Sequence, residues 1–260
     1  ASYKIKDTAT ILAANDSFLD GVNVVIDDSS TAATTAELNT IQAGIIVNGG
    51  SGDITYTKLT GTATNLAANT ADIIDGIAVT IDESGAASTY ATVAQIDTLT
   101  TRVAAVSNAS LSYEKLNDSA TLLAAGTTSY LAGKAITIDD SNNTAATTSE
   151  LNTIQTKMGQ SGSVSYAKLK DTATLLAANT ADIVDNVAVT IDETGQNTPA
   201  DTAEINSLQT AVAAVNGASL TYTKVSDTSE NLRANTGDLE GKTVTVSDAS
   251  NVADYGTLIS

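Results

Sequence analysis

The chain has 260 residues with a net charge of -18, from 12 Lys and Arg against 30 Asp and Glu, and it contains no His and no Cys. Nucleic acid and anionic lipid surfaces would repel such a chain, so we expect neither nucleic-acid binding nor membrane insertion. Without His or Cys the familiar nucleophilic triads and most zinc sites are absent, and we expect no enzymatic activity.

One sequence unit recurs nearly five times. Its mark is a Tyr followed by Lys-Leu or a relative, then Thr-Ala-Thr and a Leu-rich segment. The units cover residues 1–53, 54–110, 111–163, 164–219 and an incomplete 220–260. A period of this size is typical of arrays in which each unit buries its apolar face against the next. We therefore predict a single domain over residues 1–260, with a stack that continues beyond both ends.

The first half of each repeat is predicted to be a short strand around the tyrosine followed by a helix of about two turns. The helix N-cap is expected at an acid in four copies and at a glycine in the second: Asp7, Gly61, Asp118, Asp171 and Asp227. A left-handed residue is expected to end the helix at Asn15, Asn69, Gly126, Asn179 and Asn235.

The second half is predicted to begin after a turn such as Asp20-Gly21 and to contain a strand with one buried face. Val22, Val24 and Ile26 alternate along it in the first repeat, and the opposite face carries small Ala and Thr side chains in later repeats. An acidic loop and a second helix follow, over residues 34–42 and again over 147–155.

Strands alternating with short helices predict parallel pairing with right-handed crossovers. The expected fold is thus an α/β repeat, namely a right-handed parallel β/α solenoid of about ten strand-helix coils. It is either leucine-rich-repeat-like or a β-helix with short helices. Ten strands at roughly 4.8 Å spacing would span about 48 Å. The repeat tyrosines would form a ladder at Tyr3, Tyr56, Tyr113, Tyr166 and Tyr222.

Acids recur directly after the second strand of each repeat. They are Asp27, Asp28, Asp82, Glu83, Asp139, Asp140, Asp192, Glu193 and Asp248. Carboxylates stacked on successive coils are candidate Ca²⁺ ligands, with Asn142 and Asn143 as possible helpers in the third repeat. The alternative is that they cap the following helix or keep an edge solvated. No other cofactor is expected.

Two further surfaces have alternative interpretations. The tyrosine column is either a core or edge ladder or a platform for stacking carbohydrate, and the first is favoured because it recurs in every repeat. The Ala and Thr strand face either packs against a neighbouring solenoid or binds ice, and its alternating pattern favours packing.

The string at residues 244–253 and the Tyr-x-Lys-Leu-x-Asp-Thr-Ala-Thr-Leu-Leu-Ala-Ala pattern resemble repeats in very large secreted surface proteins of marine cyanobacteria and proteobacteria. The resemblance implies an adhesin, surface-layer or filament component, often associated with calcium and one-step secretion, although the usual calcium-binding nonapeptide is missing. A second string, over residues 34–39, is similar to bacteriophage tail-fibre sequences and implies a virion appendage.

We therefore expect a non-enzymatic extracellular structural protein that forms or extends a cell-surface filament, surface layer or adhesin stalk by end-to-end coil stacking. Its expected partners are copies of itself or flanking repeats of the same polypeptide. The alternatives are a virion appendage segment and a glycan- or ice-binding surface module.

Overall fold

The computed structural model describes residues 4–141, 144–194 and 198–248. These residues form two compact units. The first contains residues 4–118 together with Gly133–Thr137, and the second contains Ser119–Ala132 together with the described residues from Ile138 onward. Each unit is α/β, with short parallel strands in small sheets and short helices between them. The expectation of a single domain stays a prediction.

The first unit contains nine strands and four helices among its described residues. The strands are β1 (Lys4–Asp7), β2 (Asn23–Ile26), β3 (Ala33–Thr34), β4 (Ile54–Thr55), β5 (Lys58–Gly61), β6 (Ala78–Ile81), β7 (Ser110–Ser112), β8 (Lys115–Asp118) and β9 (Ala135–Ile138), the last residue of which belongs to the second unit. The helices are α1 (Ala9–Ala14), α2 (Thr35–Ile46), α3 (Ala63–Ala68) and α4 (Val93–Ala104).

The second unit contains six helices and six further strands among its described residues. The helices are α5 (Ala120–Ala125), α6 (Thr128–Leu131), α7 (Thr148–Met158), α8 (Ala173–Ala178), α9 (Thr202–Ala213) and α10 (Ser229–Ala234). The strands are β10 (Ser163–Ser165), β11 (Lys168–Asp171), β12 (Ala188–Ile191), β13 (Ser219–Thr221), β14 (Lys224–Asp227) and β15 (Thr243–Val246). Short 3₁₀ helices in the two units cover Asp16–Phe18, Thr70–Asp72, Ala87–Thr89, Thr180–Asp182 and Thr236–Asp238.

The strand pairs are parallel, as the sequence predicts. In the first unit one sheet has the order β1-β2-β4 and another has the order β3-β5-β6-β7. In the second unit β12 lies between β11 and β13, and β14 pairs with β15. The second strand of a repeat therefore joins its own first strand to the start of the next repeat. Right-handed crossovers and a continuous solenoid stay predictions.

The first strand of a repeat is interrupted at its tyrosine, although the sequence predicts one continuous strand around that residue. β4 ends at Thr55 and pairs with β2 of the preceding repeat, whereas β5 begins at Lys58 and pairs with β6 of its own repeat. Tyr56 and Thr57 lie between the two pieces. This break, together with the extra strand β3, gives fifteen short strands in the described residues instead of about ten.

The same strand register corrects the alignment of the first repeat. Lys4 begins β1 as Lys58 begins β5, but Tyr3 directly precedes Lys4 whereas Tyr56 stands two residues before Lys58. The first tyrosine is therefore displaced by one position from the others. Tyr3 itself lies outside the described residues.

The apolar alternation of the second strand is confirmed. Val24 of β2, Val79 of β6 and Val189 of β12 are buried, while Ala78 and Ala188 on the opposite face are exposed. In parallel register Val79 pairs with Leu59 on one side and Leu111 on the other. A column of aliphatic side chains thus lies on the buried face of the sheet. Removing this apolar surface from water stabilises the fold.

The N-cap of the first helix lies one residue later than predicted. The cap residues are Thr8, Thr62, Ser119, Thr172 and Thr228. Each has extended backbone angles, and its hydroxyl accepts a hydrogen bond from the backbone N–H three residues on, as Thr8 does from Ile11. The predicted caps end the preceding strand instead, so a Ser or Thr takes the capping role and frees the acid for another contact.

The predicted left-handed ending of that helix is wrong. Asn15 has φ -125° and Gly126 has φ -57°, so neither occupies the left-handed region. The asparagine acts through its side chain, because Nδ2 of Asn15 donates to the carbonyl of Ile11 at 2.8 Å. Positive φ occurs at the turn before the second strand, where Gly21 has φ 67° and Gly76 has φ 76°.

The second helix of each of the first four repeats begins with a capping box. In α2 the Thr34 hydroxyl accepts from the Glu37 N–H, and the Glu37 carboxylate accepts from the Thr34 N–H. Helices α4, α7 and α9 begin in the same way. Leu38 and Ile41, which the sequence placed on one face, are both buried. This cap orients the helix so that its apolar face covers the sheet.

Candidate functional site

The acid that follows the second strand binds the next repeat. In the first junction the Asp28 carboxylate accepts hydrogen bonds from the backbone N–H groups of Thr57 and Lys58, at 2.6 and 2.7 Å. It also accepts from the Thr57 hydroxyl. Thr57 lies in the interruption between β4 and β5, and Lys58 is the first residue of β5. Asp28 thereby satisfies the donors that the break in the strand leaves free.

The same contact recurs at all four junctions between successive repeats. The pairs of amides are Thr57 and Lys58 on Asp28, Glu114 and Lys115 on Glu83, Ala167 and Lys168 on Asp140, and Thr223 and Lys224 on Glu193. Asp and Glu alternate along the chain, and both side chains reach the same two donors. We call this arrangement the clasp: one carboxylate, two backbone amides and the lysine that carries the second amide.

The clasp lysine returns a hydrogen bond to the preceding repeat. Nζ of Lys168 donates to the backbone carbonyl of Asp140 at 2.9 Å, and Nζ of Lys224 donates to that of Glu193 at 3.0 Å. Lys115 does the same to Glu83 at 3.3 Å. Hydrogen bonds to a charged group are worth roughly 1.5–3 kcal/mol when protected from water and less at a surface. At the first junction Nζ of Lys58 donates to the carbonyl of Ser29 instead, at 3.5 Å. Each junction is therefore held by hydrogen bonds in both directions.

In two of the clasp acids, Asp28 and Glu193, hydrogen bonds favour the charged form of the carboxylate. Burial alone would raise the pKa of Asp28, but the hydrogen bonds from Thr57 and Lys58 hold it below its usual value. The same balance lowers the pKa of Glu193, where Thr223 and Lys224 are the donors. Asp28 and Glu193 are thus ionised at neutral pH.

The first acid of each predicted pair has a different role. Asp27, Asp82, Asp139 and Asp192 each accept a hydrogen bond from the backbone N–H two residues on, which closes a local turn. Lys6 lies 3.6 Å from Asp27 and Lys170 lies 3.2 Å from Asp192 as surface ion pairs. The sequence predicts one role for both acids of a pair. In the structure the first acid closes a turn and the second acid belongs to the clasp.

Asp248 occupies the clasp position of the fifth repeat but contacts its own repeat. It accepts from the N–H and the hydroxyl of Ser229, at 3.0 and 2.7 Å. Ser229 is the first residue of α10. The hydrogen bonds from Ser229 lower the pKa of Asp248.

A second recurrent carboxylate, mistaken for an N-cap in the sequence, connects two helices. Oδ1 of Asp227 accepts from the N–H of Thr228, and Oδ2 accepts from the N–H and hydroxyl of Thr202, the first residue of α9. Asp171 joins Thr172 to Thr148 in the same way. Burial opposes ionisation of Asp227, but these hydrogen bonds lower its pKa to about 2. The Thr at the first position of the preceding helix was the feature of the sequence that could have indicated this contact.

In the described residues three repeat tyrosines are buried and Tyr166 is half-buried, so they do not form an exposed stacking platform. Tyr56, Tyr113 and Tyr222 are each less than a tenth exposed. The Tyr56 hydroxyl donates to the backbone carbonyl of Asp72 at 2.6 Å, and burial together with the Asp72 charge raises its pKa to about 12. Tyr166 makes the equivalent bond to Asp182. These contacts assign the tyrosines to the core.

The structure does not bring the nine predicted ligand carboxylates together as a metal site. Among residues 4–141, 144–194 and 198–248 there is no group of three or more His, Cys, Asp or Glu side chains placed to hold a metal ion. Every predicted ligand accepts hydrogen bonds from the chain itself. Asn142 and Asn143 lie outside the described residues. Calcium binding stays a prediction.

No helix in the described part of the chain is both long and apolar enough to span a bilayer. Comparison with protein-family models, with curated proteins and with solved structures finds no match to this chain. Arguments about function therefore depend on the repeated geometry of the chain itself.

Proposed function

We propose that this chain is a non-enzymatic structural segment of an extracellular protein, whose repeats stack as a right-handed parallel β/α solenoid. The observation that supports this most strongly is the clasp, because the same carboxylate, amides and lysine recur at every junction between repeats. A contact that joins each unit to the next in the same way is what a linear array requires. The part of the chain from Asp28 to Lys224 contains all four copies.

The repetition also separates a scaffold from a catalyst or a receptor. A catalytic or ligand-binding site combines residues that occur once, whereas the polar side chains with the most contacts here occur in nearly every repeat. They also bind backbone amides, which leaves them engaged in holding the fold. A structural role accounts for both observations.

The biological setting that we propose is a cell-surface filament, a surface layer or an adhesin stalk. The acidic composition and the resemblance to large secreted bacterial surface proteins support it. The virion-appendage alternative depends on the string at residues 34–39, and local capping chemistry accounts for that string, since Thr34 and Glu37 form the capping box of α2. The string is thus weak support for kinship with tail fibres.

A lengthened chain tests the proposal. A second copy of residues 111–219, inserted after the first, adds two whole repeats. Four further coils at roughly 4.8 Å should lengthen the particle by about 20 Å, measured as the maximum dimension in small-angle X-ray scattering. A globular arrangement would instead grow with the cube root of its mass, by roughly a tenth, following the compact scaling of folded domains. Growth of that smaller size would contradict a stacked array.

Antibody labelling tests the extracellular setting. Antibodies raised against the chain should label intact cells of the source organism without permeabilisation. Labelling only after permeabilisation would contradict a surface location.

A further inference from the structure

The second strand of the fifth repeat is less covered than its counterparts. Val244 of β15 is 37% exposed, whereas Val24, Val79 and Val189 at the same position are at most 1% exposed. Those three lie in strands with a neighbour on both sides. Among the residues that the structure describes, β15 pairs only with β14.

The side of β15 away from β14 presents a backbone donor in the direction of a further strand. The N–H of Thr243 donates to the carbonyl of Thr223 in the preceding segment, so the N–H of Val244 points to the opposite side. In the first repeat the corresponding N–H, that of Val24, donates to the carbonyl of Asp53 just before β4. The equivalent donor of β15 is therefore placed to receive a parallel strand.

At the clasp position of the fifth repeat, the described residues supply the acid but not the two amides. Asp248 stands where Asp28 stands in the first repeat, two residues after the second strand, but its carboxylate lies on Ser229. In each of the four complete clasps the carboxylate binds the amides at the residue after the tyrosine and at the lysine. An incoming strand with the Tyr-x-Lys pattern would supply both amides and a cation for this acidic end.

We propose that Asp248 and the edge of β15 away from β14, which has no strand partner among the described residues, form an acceptor site for an extended strand of the type apolar-Ser/Thr-Tyr-x-Lys, as found in this repeat. This inference rests on the proposed stacking of repeats and names the partner that the stack accepts. The strand adds in parallel to β15, its apolar residue covers Val244, and Asp248 moves from Ser229 to the two clasp amides. Main-chain hydrogen bonds give the affinity and the clasp gives the register.

A peptide from the chain itself is the probe. Residues 217–225 contain β13, Tyr222 and the clasp residues Thr223 and Lys224, and they fill the equivalent site beside β12. Added to the full ¹⁵N-labelled chain, the peptide should shift the amide resonances of Val244 and Asp248, with a dissociation constant of about 0.1–1 mM. The same peptide N-methylated at Thr223 and Lys224 lacks both clasp donors and should bind at least about tenfold more weakly.

Three variants of the chain separate the clasp from general charge attraction. Asp248→Asn should weaken binding about tenfold, whereas Glu240→Gln removes the same charge from an exposed neighbour and should leave binding unchanged. Ser229→Ala removes the hydroxyl that holds Asp248 and should tighten binding. Circular dichroism and thermal melting establish that each variant is folded.

The proposal is overturned if β15 resonances do not move at about 1 mM peptide, or if the N-methylated peptide binds as well as the parent. It is also overturned if Glu240→Gln weakens binding as much as Asp248→Asn does. None of these results bears on the lengthened chain, which tests the stacking of repeats separately.

Discussion

The carboxylate that joins two helix N-termini is missing from one repeat. Asp118, Asp171 and Asp227 occupy that position in the later repeats, and Gly61 occupies it in the second. In repeats four and five this acid links the cap of one helix to a buried Thr at the start of the preceding one. The first repeat has the equivalent buried threonine, Thr35, at the start of α2, but the second repeat has no carboxylate to meet it.

Gly61→Asp should therefore stabilise the protein. A Cβ at Gly61 would meet the Leu66 side chain at 3.5 Å, which is ordinary contact, and the backbone there needs no glycine. We expect a gain of about 1 kcal/mol in the free energy of unfolding from hydrogen bonds to Thr35 and Thr62. Gly61→Ala is the control for the lost flexibility of glycine. In thermal or urea unfolding, equal stability of the two variants would show that the carboxylate adds nothing.

Asp227 should make stability depend on pH in the acid range. Its pKa is about 2 in the folded protein and about 3.9 when unfolded. Because the folded pKa is the lower one, its contribution is complete above about pH 4 and is lost as the pH falls through 2. Asp227→Asn should reduce stability at pH 7 and match the parent near pH 2. A difference between the two that stays constant across this range would contradict the assignment.

Two acids of the 3₁₀ segments, Asp72 and Asp182, should have the opposite dependence of stability on pH. Burial raises the pKa of Asp72 and Asp182, and one carboxylate oxygen of each has no hydrogen-bond partner among the described residues. Folding therefore favours their protonated form, and their ionisation at rising pH lowers stability. At acid pH the stability of the whole protein therefore combines contributions that rise with pH and contributions that fall with pH. Comparing a single variant, Asp227→Asn, with the parent isolates one of them.

At the scale of the strand and the helix, periodicity predicted more than side-chain chemistry did. The alternation of Val22, Val24 and Ile26 identified a strand with one buried face, and Leu38 and Ile41 identified the buried side of α2, because burial acts on every second or every third to fourth residue. The break in the strand at Tyr56 has no corresponding periodic pattern in the sequence. It depends on the amides of Thr57 and Lys58 finding a carboxylate about thirty residues away, as they do in Asp28.

The sequence singled out the acids that follow the second strand, but it did not indicate the backbone amides that these acids contact in the structure. A run of paired acids after a strand looks the same in sequence whether it holds a metal, caps a helix or binds amides. Only the fold separates Asp82, which closes a turn on Ser84, from Glu83, which binds the next repeat. The recurrence of a Tyr-x-Lys segment after each pair was the signal that connects the two, and it becomes informative only once the strands are known to be parallel.

Glu83 should contribute more to stability than the adjacent Asp82. Glu83→Ala leaves the amides of Glu114 and Lys115 without their acceptor, and we expect it to lower the free energy of unfolding by about 1–2 kcal/mol. Asp82→Ala removes only a surface turn contact and should cost less than about 0.5 kcal/mol. Hydrogen exchange at Glu114 and Lys115 should accelerate in the first variant alone. Equal effects of the two substitutions would mean that the clasp is not the contact that joins the repeats.

At the scale of the whole molecule the net charge of -18 opposes compaction. Twelve basic residues cannot neutralise thirty acids. In the clasps, some of the excess carboxylates accept hydrogen bonds from backbone amides instead of pairing with cations. The remaining repulsion acts between solvent-exposed charges and is screened by salt over distances of about 8 Å at physiological ionic strength. Added monovalent salt should therefore raise the melting temperature.

Calcium should add nothing to that screening. All nine acids predicted as ligands accept hydrogen bonds within the chain, and at Asp28 an ion would have to compete with the amides of Thr57 and Lys58. We expect about 10 mM CaCl₂ to raise the melting temperature no more than MgCl₂ at the same concentration, in calorimetry at matched ionic strength. A saturable rise specific to Ca²⁺ that disappears in Asp28→Asn would instead place the ion at the clasp and make the junction between repeats a calcium-dependent joint.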